Sequence, residues 1–131
     1  MPRFVIHEHW ASHHHFDLRM QRNGHLEDWA VPKGIPKESG KKVLAIKQPS
    51  HPMKWLTFEG EIKDGYGAGK LKIWDSGTFT PIKWERDRIV VQFNGRKIKG
   101  IYVLFKFDKE KNSWWLFKTK KSLEDYEKGS K

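Results

Sequence analysis

The chain has 131 residues and no cysteine, and its 26 lysines and arginines exceed 16 aspartates and glutamates to give a formal net charge of +10. Its length suits one domain with a single core, and the lack of cysteine excludes disulfides and thiolate metal sites and fits a reducing cytoplasm. No apolar run is long enough to span a membrane or to act as a secretory signal, while the basic excess points to a polyanion partner, nucleic acid first, over a surface that is merely soluble.

Taken in chain order, the pattern predicts an all-β protein. Phe4–His9 reads as a strand that breaks at Trp10-Ala11-Ser12-His13. Asn23-Gly24 lies between Phe16–Arg22 and His25–Val31 and is a strong hairpin signal. A loop from Pro32 to Gly40 leads to a strand over Val43–Gln48, and Pro49-Ser50-His51-Pro52 reads as a turn. A strand over Thr57–Ile62 precedes the glycine-rich Asp64-Gly65-Tyr66-Gly67-Ala68-Gly69, which lacks the residues of a phosphate-binding P-loop and suits a tight turn or close backbone approach. Lys70–Trp74 is predicted as a strand, Ser76-Gly77 as a turn and Pro81–Glu85 as an edge piece. Arg88–Phe93 and Arg96–Lys99 read as a second hairpin around Asn94-Gly95, and Ile101–Phe107 and Trp114–Lys118 as strands joined by the charged turn Asp108–Asn112. Residues 120–131 read as a charged C-terminal tail with at most a short helix. With no internal repeat and no linker, residues 1–131 form one domain, a closed or partly open β-barrel or a sandwich with little helix. Most aromatics fall at strand spacing and belong to the core, although aromatics interleaved with lysines are also what strand ends bind.

The chemistry concentrates in residues 9–19. A strand turns alternate side chains to opposite faces, so Phe16, Leu18 and Met20 pack inward while His15, Asp17 and Arg19 share the other face. An imidazole and a carboxylate two residues apart can share one metal ion, and the arginine beyond them can hold a phosphate oxygen, which is the equipment of a metal-dependent phosphoesterase. His9, across the short break, can complete a set of two imidazoles and one carboxylate that leaves coordination positions open. These ligand types suit Zn, Mn, Fe or Co without choosing among them, and a solvated polar strand accounts for the same spacing. His51, between prolines, and Lys33, in Val31-Pro32-Lys33-Gly34, are further candidates, each with a plain surface reading. Glu59 and Asp75 fit caps or turns as well as catalysis.

The run His9-Trp10-Ala11-Ser12-His13-His14-His15-Phe16-Asp17-Leu18-Arg19 resembles the motif H-x-A-x-x-x-H-[YF]-D-[FL]-R of the 3′-phosphoesterase domain of bacterial DNA ligase D and its stand-alone relatives. The resemblance continues through Trp29–Gly34, Leu44-Ala45-Ile46, His51-Pro52, Phe58-Glu59-Gly60, Tyr66–Gly69 and Trp74–Gly77, then more weakly at Asn94–Gly100 and Trp115–Lys118, covering residues 4–119. It implies a β-barrel with a crescent-like groove and action on 3′ ends of DNA or RNA strands at primer-templates. A terminal ribonucleoside and then the 3′-phosphate would be removed, with a divalent metal, Mn2+ first and Zn2+ or Co2+ as alternatives. Carried over by position, His9, His15 and Asp17 would be the metal ligands, Arg19 and His51 would hold the scissile phosphate, and Lys33 would contact phosphate or backbone. A ligase or polymerase would act in trans.

This chain departs from the family pattern where Pro49-Ser50 replace an acidic pair, Trp55 replaces a tyrosine and Val43 replaces an arginine. The family's charged N-terminal segment has no counterpart before Arg3. The resemblance therefore implies a 3′-phosphomonoesterase more firmly than a diesterase. The competing expectation is a non-catalytic barrel that binds nucleic-acid ends.

Overall fold

In the computed structural model, residues 1–65 and 68–129 are described; Tyr66 and Gly67 of the glycine-rich loop and the last two residues of the tail lie outside the described residues. The elements are β1 (Arg3–Trp10), β2 (His14–Arg22), β3 (His25–Val31), β4 (Val43–His51), a 3-10 helix (Met53–Thr57), β5 (Gly60–Ile62), β6 (Gly69–Trp84), β7 (Arg88–Gly95), β8 (Lys99–Asp108), β9 (Ser113–Lys118) and α1 (Leu123–Gly129). All strand pairings are antiparallel and run β1-β2-β3-β4-β9-β8-β7-β6, and β6 pairs back onto β1. The eight strands therefore close into a barrel, and β5 pairs separately with the start of β6. No helix among the described residues is long and apolar enough to cross a membrane.

The predicted β1–β2–β3 meander is present with its register. Asn23 and Gly24 take φ of 53° and 83°, the left-handed pair that a tight hairpin needs, so Arg22 faces His25 and Arg19 faces Asp28. Phe4, Ile6, Leu18, Met20, Trp29 and Val31 fill the barrel from this side and Trp114, Leu116, Tyr102 and Leu104 from the other. Trp29 and Trp114 meet edge to face at 5.6 Å.

Four expected boundaries differ, each for a local reason. The predicted turn at Pro49–His51 is the end of β4; the pairing skips from Asp28↔Gln48 to Leu26↔His51, and this bulge accommodates a proline that has no N–H for the ladder. Instead of a strand beginning at Thr57, the chain forms the 3-10 helix and then β5, because Leu56 is buried with Val5 and Leu26 on the outside of the barrel. Ser76-Gly77 is no turn. It lies inside β6, which also absorbs Pro81–Trp84, and a Cβ on Gly77 would stand 2.2 Å from the Asn94 carbonyl oxygen, so glycine serves close strand approach. Arg96–Lys99 is mainly the turn between β7 and β8, with strand resuming at Lys99.

Asp75 holds that last turn. Its carboxylate accepts from the backbone N–H groups of Ser76, Arg96, Lys97 and Ile98 at 2.8–3.1 Å, so the structural reading of this residue holds. Glu59 likewise accepts from the Ile73 N–H at 2.8 Å. Asp75→Ala leaves several shielded donors without a partner and is expected to cost about 3 kcal/mol in urea unfolding; a loss below ~0.5 kcal/mol would contradict this role.

Candidate metal centre

Strand alternation gives the outside of the β1–β2–β3 sheet a polar row, and the 3-10 helix and the loop before β6 cover it. The result is a set of buried polar side chains outside the barrel core: His7 is 0% exposed, His9 5%, Asp17 4%, Arg19 4% and Asp28 2%. All of these but His7 floor a cleft of about 320 Å³ that is lined also by His15, Gln48, His51 and the hairpin tip Ala11-Ser12.

His9 and His15 face each other directly across the β1–β2 ladder, with Asp17 two residues further along β2. His9 Nδ1 lies 3.1 Å from His15 Nε2 and 3.0 Å from Asp17 Oδ2, and His15 Nε2 lies 3.3 Å from Asp17 Oδ1. The outer nitrogens fix the protonation. His9 Nε2 meets the Ala68 carbonyl at 3.2 Å and His15 Nδ1 meets the His13 carbonyl at 2.8 Å. A carbonyl oxygen only accepts, so each of these nitrogens carries its ring's proton. The neutral rings therefore turn lone pairs toward each other and toward a carboxylate, an arrangement that only a cation or an added proton stabilises. Atoms bound ~2.1 Å from one ion lie about 3.0 Å apart at right angles and about 3.4 Å at a tetrahedral angle, so this triangle fits the ligand atoms of a single metal ion. The carbonyl contacts behind both rings are the orienting bonds that metal-binding histidines use.

The charges agree. Burial alone would raise the Asp17 carboxyl, but its contacts with His15 and His9 and the charge of Arg19 hold it well below the usual carboxylate range. Contact with Asp17 raises the His15 pKa against the opposing effect of burial, as expected where a proton fills a place suited to a metal. His7 is different: burial, helped by Arg19, lowers it to about 4. Its Nε2 donates to the Phe58 carbonyl at 2.7 Å, so a neutral His7 ties the segment after the 3-10 helix to the sheet.

Arg19 lies beyond Asp17 on the same face. Its Nη2 donates to Asp17 at 3.2 Å, while Nε and Nη1 have no hydrogen-bond partner among the described residues. A buried guanidinium with two unused donors at the floor of a cleft can receive an oxyanion. Asp28, which the spacing arguments did not single out, stands opposite it, 3.7 Å from Arg19 Nη1 and 3.1 Å from His51 Nδ1. Burial raises the Asp28 pKa, opposed by His51 and Arg19. The signal for Asp28 was available: counting outward from the Asn23-Gly24 turn sets it across from Arg19.

The structure thus brings His9, His15, Asp17, Arg19 and His51 to one cleft. It does not bring Lys33 there; that residue is exposed and lines a separate concavity formed by the loop before β4. At the sites of departure, Trp55 stands edge-on to His51 with ring centres 6.1 Å apart, and Arg19 Cζ is 5.7 Å from the Trp55 ring centre. Pro49 and Ser50 are exposed at the bulge. Val43 faces the barrel interior, Lys42 projects toward Trp115 with Nζ 5.6 Å from its ring, and neither lines the cleft. Gly69 confirms close backbone approach, since a Cβ there would lie 2.2 Å from the Trp10 carbonyl oxygen.

Nitrogen NMR of the metal-free chain, at a pH where both rings are neutral, is expected to find the proton of His9 on Nε2 and that of His15 on Nδ1. The reverse assignment for either ring would contradict the converging lone pairs.

The chain matches the DNA ligase D 3′-phosphoesterase domain family over residues 7–106. It is 41% identical over 127 residues to the multifunctional non-homologous end joining protein LigD of Mycobacterium bovis. The identity is 39% over 126 residues to LigD of Mycolicibacterium smegmatis and 34% over 126 residues to LigD of Pseudomonas aeruginosa. These alignments take in 93%, 87% and 90% of this chain, which spans only 16%, 16% and 15% of the respective relatives. On the matched family and these identities, the chain belongs to the DNA ligase D 3′-phosphoesterase domain family.

Proposed function

We propose that this domain heals the 3′ ends of nucleic-acid strands as a divalent-metal-dependent phosphoesterase, converting a 3′-phosphate to a 3′-hydroxyl. The observation that carries the reading is the meeting, in one cleft, of three converging acceptors (His9, His15, Asp17) with a buried arginine that has two unused donors. His9, His15 and Asp17 would hold the metal, Mn2+ by preference, with Zn2+ or Co2+ sharing the ligand types. The metal would supply Lewis acidity at the phosphoryl group and lower the pKa of a bound water.

The chain's own residues divide the remaining work. Arg19 receives the phosphate oxygens through its unused donors, and Asp17 holds the guanidinium in place from the other side. His51, oriented through Nδ1 by Asp28, donates a hydrogen bond to the phosphate or a proton to the leaving 3′ oxygen. Attack of water breaks the bond between phosphorus and that oxygen and releases inorganic phosphate. Removal of a terminal ribonucleoside is the slower activity in this reading, because the exposed Pro49-Ser50 offers no acid and Trp55 no hydroxyl beside His51. The names of the relatives tie them to non-homologous end joining, and on that similarity we assign the domain to repair of DNA ends, with a ligase or polymerase using the restored 3′-hydroxyl. Its net charge of +10 suits such a substrate.

Phosphate release from a DNA strand ending in 3′-phosphate is expected with Mn2+, and to be abolished by chelator and by His15→Ala. Arg19→Ala should lower kcat/KM about 10²–10³-fold, whereas Lys33→Ala, outside the cleft, should change it less than about fivefold. Tight DNA binding without release under any divalent metal would favour the end-binding module.

A further inference from the structure

The wall of the metal cleft has a second face. Because side chains alternate along the hairpin, Trp10 and His14 point away from His9 and His15, toward the open end of the barrel. There they stack nearly parallel, with ring centres 5.6 Å apart and planes at 22°, and Trp10 is 40% exposed. The series continues inward, since His14 meets Phe16 at 5.6 Å and Phe16 meets Trp74 at 5.6 Å. Ammonium groups flank both ends. Lys70 Nζ lies 5.8 Å from the Trp10 ring, and Lys37 and Lys97 Nζ lie 5.5 and 4.6 Å from the Trp74 ring. Trp10 and His14 are both exposed here, and His14 Nε2 also meets the Glu8 carboxylate at 2.8 Å, which holds the ring in place.

We infer that this ladder is a stacking platform for the substrate strand: the nucleotides that precede the terminal one cross the hairpin tip and lay their bases on Trp10 and His14. Two arguments select a nucleic-acid strand as the occupant. The first is charge, because ammonium groups stand at both ends of the row of rings, where they match a phosphodiester backbone. The second is continuity, because Ala11 and Ser12 at the tip line the metal cleft itself, so a strand whose end lies in the cleft meets the platform on leaving it. Lys33 gains a place in this arrangement. It lines one concavity with Lys37 and Gly34, and Gly34 backs onto Phe16, so a backbone contact by Lys33 belongs to the platform side. The inference rests on the proposed 3′-end reading and adds to it a requirement for substrate length.

The test compares 3′-phosphate release from a mononucleotide 3′-phosphate and from single-stranded oligonucleotides of increasing length, in Mn2+, for wild type, Trp10→Ala and Phe107→Ala. Phe107 is an exposed aromatic, 47% accessible, outside the ladder. A parallel arm reads the fluorescence of 2-aminopurine beside the terminal nucleotide, which stacking quenches. The expected result is higher kcat/KM for oligonucleotides, a loss of about tenfold on them in Trp10→Ala, an unchanged mononucleotide rate and no effect of Phe107→Ala. Equal length dependence in wild type and Trp10→Ala would overturn the platform, as would an equal loss on the mononucleotide, which would make Trp10 a support for the hairpin. If no substrate is turned over, the catalytic reading fails separately, and the quenching arm decides the platform: quenching lost in Trp10→Ala supports it, and quenching unchanged overturns it.

Discussion

Three hydrogen-bond acceptors aimed at one point dominate the structure. His9 Nδ1, His15 Nε2 and an Asp17 oxygen lie within 4.8 Å of one another, and carbonyls behind the two rings keep the ring protons on the far side. Without a positive charge at their meeting point this is a repulsive contact inside a cleft shielded from water. The fold sustains it because the ladder between β1 and β2 fixes the two imidazoles opposite each other, and because the core behind them, Ile6 and Leu18, is fully buried and leaves the backbone little freedom. Stability spent on an unfavourable polar cluster is the common mark of a functional site.

The charges around the triad extend its logic. Arg19 touches Asp17 on one side and approaches Asp28 on the other, and Asp28 in turn meets His51. Two carboxylates, one guanidinium and three imidazoles, of which His15 and His51 are half-buried, thus form a continuous network in which Arg19 makes fewer hydrogen bonds than its donors allow. An incoming divalent cation and a phosphate would satisfy opposite halves of it. This pairing explains why the arginine can remain buried with unused donors, and why a plain binding barrel would have little use for the same residues.

Much of this was legible in the sequence, for identifiable reasons. The alternation from His15 to Met20 separates site from core, and the Asn23-Gly24 turn sets the register of β2 on β3. What was not legible came from long-range packing. The cover over the site depends on Leu56 docking onto Val5 and Leu26, and nothing local in Met53–Thr57 announces a 3-10 helix there. The continuity of β6 through Ser76-Gly77 was hidden because glycine signals a turn as readily as close strand approach. Lys33 illustrates the limit of transfer by position: its motif was recognised, but only the fold reveals that the loop before β4 carries it away from the cleft. Asp28 was missed although the hairpin register pointed to it.

The central claim, that the converging lone pairs form a site for one divalent metal ion, is tested most directly by calorimetric titration of Mn2+ into the wild-type chain and into Asp17→Ala. The account predicts one ion bound per wild-type chain and loss of that binding in the variant, with its circular dichroism unchanged. No binding to the wild type, or equal binding to a folded Asp17→Ala chain, would contradict it.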